Sequence, residues 1–148
     1  MSYVRKATRL LLLVLLVSVA SAHACSCVKR SEEQQFREAR VVVVGVVRET
    51  RFISDKRVFG GGYIRAIVDV RETLKGKVNS RLQVIDQLPE NGMCSSFLLA
   101  GMEFVLFVDN RREVGMCSGT RQLGGTIHDR PEKLRRLQEL KARAQSGT

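Results

Sequence analysis

Four cysteines, at positions 25, 27, 94 and 117, constrain this chain more than any other feature. Two stand one residue apart, and the others lie far along the chain. How they are read depends on the compartment. Arg5, Lys6 and Arg9 lead into an unbroken apolar run from Leu10 to Val17, extended by Val19 and Ala20 and closed by Ala22-His23-Ala24. A basic start, a short apolar stretch and an A-x-A end have the form of a secretory signal peptide. The run is well short of the roughly 20 residues that a spanning helix needs. Residues 1–24 are therefore expected to be removed, leaving Cys25 first in a secreted chain, extracellular or periplasmic. A cysteine there also admits bacterial lipoprotein processing. That route favours Leu three residues before the cysteine and a small residue two before it, where this chain has Ala22 and His23. Under that alternative the Cys25 amine would be acylated and the chain held at a membrane.

In an oxidising place, an even count of cysteines in a small domain reads as disulfides. A Cys25–Cys27 bridge would close a very tight, strained ring. What remains is two bridges running from one short N-terminal segment to two distant points, in either of two pairings. Chain entropy gives roughly 4 kcal/mol for one closed loop of this size, and less for the second. A four-thiolate zinc site is the competing reading. Its usual C-x₂₋₄-C pairs are missing, since the chain has one C-x-C and two isolated cysteines.

A length of 148 residues suits one domain. Ser31 with Gln34 three residues later forms a capping-box pattern, which predicts a helix to about Ala39 with Phe36 and Ala39 inward. Arg40 to Thr50 is rich in valine and reads as a strand buried on both faces, with Gly45 marking a bulge or bend. Residues 51–59 and Gly60-Gly61-Gly62 read as a long hairpin loop. Further strands are expected at Tyr63–Leu74, Arg81–Asp86, Met102–Asp109 and Cys117–Leu123. Lys75-Gly76-Lys77 forms a turn, and Leu88–Ser96 a loop around Cys94. Pro131 opens a last helix, with Asp129 or Arg130 as cap and an apolar stripe of Leu134, Leu137 and Leu140. The expectation is a mainly β chain: a five-stranded OB-type barrel over residues 25–127, followed by a helix and tail over residues 128–148.

Catalysis has little to work with. After removal of residues 1–24 one histidine is left, His128, next to the last helix. No serine sits in a nucleophile elbow, the glycine run lacks the Lys and Ser/Thr of a phosphate loop, and the carboxylates are scattered. No catalytic residue and no cofactor of its own is expected, so binding is the better reading. The N-terminus is the unusual feature. A free Cys25 amine and the Cys25 carbonyl oxygen could together close a five-membered chelate ring on a metal ion. Delivered to a catalytic zinc, such a group would displace the water that the metal activates. Two bridges would hold the segment stiff, so little ordering entropy is lost on binding. Ser26, between the pinned residues, would point outward into a specificity pocket.

Cys25-Ser26-Cys27 at the cleavage site, the short helix, the valine strand, the Leu74-Lys75-Gly76 turn and the later Cys94 and Cys117 resemble the tissue inhibitors of metalloproteinases. More broadly they resemble the netrin-like OB domain. The likeness covers about residues 25–123. It implies bridges Cys25–Cys94 and Cys27–Cys117, zinc chelation by Cys25 and pocket insertion by Ser26. It also implies protease contacts from Gly92 and Met93, beside Cys94. The chain departs from the family in having no second domain and no third bridge in the first one.

The partner expected is thus a zinc metalloproteinase, whose zinc is the only metal involved, with the inhibitor a monomer. The runner-up is a non-inhibitory netrin-like binding module of a periplasm or cell surface, lipid-anchored at Cys25 in one version. Lys and Arg total 25 against 15 Asp and Glu. Lys56-Arg57, Arg111-Arg112 and Arg135-Arg136 give a basic surface, read as plain solvation or, more sharply, as attraction to an anionic polysaccharide, lipopolysaccharide or an acidic partner. With six Phe, two Tyr and no Trp, aromatic platforms for nucleic acid are scarce, and none is expected to bind.

Overall fold

The computed structural model describes residues 27–57, 61–88, 95–124 and 129–146. Within them the chain forms a short helix α1 (Glu32–Glu38), strands β1 (Val41–Ser54), β2 (Gly62–Lys75), β3 (Arg81–Gln87), β4 (Glu103–Val108), β5 (Glu113–Val114) and β6 (Arg121–Gln122), and a long helix α2 (Asp129–Ser146). The strands make one mainly antiparallel sheet in the order β5-β3-β2-β1-β4-β6.

Why β1 is rich in valine is visible in its packing. Val41, Val43 and Val47 face a core with Ala66, Val68, Val84, Phe104, Leu106 and Val108. Val42 and Val44 face the other way, onto Phe36, Leu74, Val105, Phe107 and Leu137. A strand covered on both sides needs an apolar residue at every position, and β-branched side chains fill a pleated surface well. Gly45 interrupts the run because β2 comes too close. A Cβ there would lie 2.6 Å from Val68 Cγ1 and 2.8 Å from the Asp69 carbonyl oxygen. The β1–β2 register shifts at this point, and again between Val42 and Val43 and between Val47 and Glu49. Each shift bends the ribbon.

Those bends let the sheet curl. β4 runs antiparallel to β1, yet it turns through Asp109–Arg112 into β5, which lies parallel to β3 with Ile85 opposite Glu113. The chain therefore ties the β4 side of the sheet to its β3 side, giving a curled half-barrel around the first core. Helices α1 and α2 cover its outer face through Phe36 and Leu137, both almost fully buried. The last helix is thus part of the same packed body as the sheet. Leu134 and Leu140 are half-buried beside Leu137, as the predicted stripe requires. The helix begins two residues before Pro131.

The sequence reading needs three corrections. Residues 51–54 are strand, not loop: Arg51, Phe52, Ile53 and Ser54 pair with Arg65, Ile64, Tyr63 and Gly62. Their polar character reflects an exposed two-stranded ribbon, on which Phe52 is 54% exposed. Among the described residues six strands are present where five were expected. Cys117–Leu123 is not one strand but a 3-10 turn (Met116–Ser118) followed by the two-residue β6, with β5 lying earlier. Here side chains replace the ladder. The Phe107 backbone N–H donates to Thr120 Oγ1 at 3.0 Å, a bond that a continuous strand would give to backbone.

Candidate functional site

Cys27 and Cys117 are joined by a disulfide, with Cα atoms 5.3 Å apart across 90 positions of sequence. Cys117 sits in the 3-10 turn. Ser118 Oγ donates to the Gly115 carbonyl at 2.7 Å and lies 3.2 Å from Thr120 Oγ1, which itself accepts from Phe107 in β4. The bridge therefore ends on a turn fastened to a core strand. Four residues beyond Cys27 the chain is fastened again. The Gln34 N–H donates to Ser31 Oγ and the Ser31 N–H donates to Gln34 Oε1, so the capping box is complete. Phe36 then anchors α1 in the second core. Glu32, in the first turn, pairs with Arg121 of β6 and, at 3.0 Å, with Arg136 of α2. Cys27 is held between a disulfide and a capped, packed helix, while Val28 beside it is 77% exposed.

A second anchor lies just after position 94. Asp86 is fully buried at the far end of β3. Its carboxylate accepts from Ser95 Oγ at 2.7 Å and from the Ser96 N–H at 2.9 Å. Burial pushes the carboxyl above its usual range, while these bonds and those from the backbone N–H groups of Phe97 and Leu98 pull it down. Loss of hydration outweighs them. Leu98 drops into the first core, but Phe97 and Leu99 stand 61% and 55% exposed, Phe97 with φ at +50°. The stem of this loop is thus pinned by one carboxylate while apolar groups project from it.

The Leu74-Lys75-Gly76 turn has a comparable job. Leu74 is buried in the second core. Lys75 Nζ donates to the carbonyls of Phe36, Arg37 and Ala39 at 2.8, 2.7 and 2.6 Å, and so caps the C-terminal end of α1. A cation over exposed helix carbonyls also meets the negative end of the helix dipole. Burial lowers the Lys75 ammonium below its ordinary value. Gly76 is left-handed, with φ at +81°, and a Cβ there would lie 2.8 Å from the Arg40 carbonyl oxygen. The turn thus clamps α1 to the start of β1.

Of the residues singled out in the sequence, Cys25, Ser26, Gly92, Met93, Cys94 and His128 lie outside the described residues, and with them the Cys25–Cys94 pairing. Cys27 and Cys117 are described, and are bridged to each other. Among the described residues no group of three or more His, Cys, Asp or Glu could hold a metal ion. No helix there is long and apolar enough to cross a membrane. Sequence reasoning missed Asp86, Lys75 and Glu32. For Asp86 a signal existed: it shares the period-2 face of β3 with Leu82 and Val84, so its side chain had to go inward. Set against known protein families the chain matches none, and among curated proteins it finds no match.

Proposed function

We propose that the chain is a secreted, single-domain inhibitor of zinc metalloproteinases, acting through the free N-terminus of Cys25. The observation that carries this is the Cys27–Cys117 bridge. It fixes the third residue of the expected secreted chain to a turn on a core strand, two positions from the proposed zinc-binding group. The Asp86 anchor adds support, because it holds Ser95 and Ser96, which follow Cys94 in sequence. An OB-type, netrin-like barrel is proposed with it. Its support is the β1-β2-β3 meander, β4 beside β1, and β5 returning parallel to β3, with β6 as an added edge.

On this reading the Cys25 amine and carbonyl oxygen bind the protease's zinc together and displace its water, so no nucleophile forms. Ser26 enters the specificity pocket, and Gly92 and Met93 line the contact beside it. The inhibitor needs no metal of its own. Exposed Val28 and Met116 flank the bridge and extend the contact with apolar surface.

The test is secreted protein of defined mass assayed against a panel of zinc metalloproteinases. The reading expects a chain starting at Cys25, four hydrogens lighter than its reduced form, with a free amine, that inhibits at least one enzyme stoichiometrically. An acyl group on Cys25 would instead favour the lipid-anchored binding module. A free-amine protein that inhibits nothing on the panel contradicts the proposal.

A further inference from the structure

A groove of about 450 Å³ opens beside the start of β1, the β2–β3 turn and the β4–β5 turn. Four cations line it: Arg40, Lys77, Arg81 and Arg112. They come from three separate places in the chain, Lys77 and Arg81 sharing the β2–β3 turn, and the curl of the sheet brings the three together. Arg81 is partly committed, 3.4 Å from Asp69. Arg40, Lys77 and Arg112 have no carboxylate partner among the described residues, and all three side chains are exposed. The one acid in the wall, Asp109, already accepts from the backbone N–H groups of Arg111 and Glu113 at 2.8 and 2.7 Å. Arg112 holds φ at +65°, a conformation that costs a side-chain-bearing residue about 1 kcal/mol or more. A glycine would be cheaper in that turn, yet the chain spends an arginine on the groove's edge.

Unpaired like charges around a concavity repel one another and favour an anion between them. The rest of the lining narrows the choice of anion. Val41, Val78, Leu82 and Val108 contribute apolar patches among the polar groups, and no aromatic side chain lines the groove. Bases of a nucleic acid would lack stacking partners. A mainly polar, cationic lining with small apolar patches suits a sugar unit, whose C–H face is apolar and whose edge carries hydroxyls and sulfate or carboxylate. The volume is that of a small-ligand pocket. We infer that this groove binds a sulfated or uronate-bearing polysaccharide, one sugar unit in the groove and its anionic groups on Arg40, Lys77 and Arg112. The groove lies on the Arg81–Gln83 half of β3, whereas the Asp86 anchor is at the other end, about 17 Å along the strand from Arg81.

The experiment is titration of the full secreted chain with a heparin-type oligosaccharide at several salt concentrations, with thermal unfolding as the check on folding. Arg40→Gln, Lys77→Gln and Arg112→Gln together should weaken binding at least tenfold and lower the salt slope by about the three charges removed. A control removes equal charge elsewhere, through Lys29→Gln, Arg37→Gln and Arg143→Gln, and should change binding less than twofold. Equal losses in both triple variants would mean diffuse charge and overturn the inference. So would absence of binding by the parent chain, or tighter binding to anionic lipid vesicles than to the oligosaccharide.

Discussion

Asp86 shows how one buried carboxylate can set a loop. Removing it in Asp86→Ala strands the Ser95 hydroxyl and the Ser96 N–H in the interior and should cost about 3 kcal/mol in urea unfolding. Asp86→Asn keeps an acceptor and should cost less. The two also differ in pH behaviour. Because burial raises the Asp86 carboxyl, the folded chain holds that proton to higher pH than the unfolded chain does. Its contribution to stability is complete below about pH 3.9 and is lost as pH rises through the raised native value. An asparagine does not titrate. The deficit of Asp86→Asn relative to the parent should therefore be largest in acid and shrink toward neutrality. A gap that stays constant from about pH 3.5 to about pH 7 would contradict this. Lys75, by contrast, could not have been assigned its role from sequence. Its three carbonyl partners lie 36 to 39 positions away, and only the docking of α1 on β2 brings them to it.

At the scale of elements, α1 and α2 depend on different holds. Lys75→Met should unfasten the end of α1, costing about 2 kcal/mol and speeding amide exchange there more than in β1. Leu137→Ala should cost about 3 kcal/mol, because Leu137 is fully buried among Phe36, Val105 and Phe107. A change under about 1 kcal/mol would mean that α2 is an appendage rather than part of the core. Legibility followed the strength of the local pattern. The valine run announced a doubly covered strand, Ser31 and Gln34 announced a helix start, and Leu134, Leu137 and Leu140 announced a buried stripe. The ribbon end at Arg51–Ser54 was hidden because its side chains face solvent and its order comes from pairing with β2. The region after β4 was hidden because its elements are too short to show a period, and because hydroxyls take over backbone bonds.

For the molecule as a whole, the Cys27–Cys117 bridge is the largest single constraint. Closing a loop of 90 positions stabilises the fold by about 4.5 kcal/mol in the chain-entropy account, and Cys27→Ser with Cys117→Ser should lose most of it. The proposed inhibitory act adds a pH dependence of its own. An α-amine binds zinc only when neutral, and its ordinary pKa is about 7.7–8.0. Inhibition should weaken close to tenfold for each pH unit below about 7, after the protease's own profile is divided out. The account stands most directly on one comparison: inhibition constants, against the same metalloproteinase, of protein beginning at Cys25 and of protein with one alanine added before it. The account predicts at least a hundredfold loss in the extended protein, with the same unfolding midpoint. Equal inhibition by the two would contradict it.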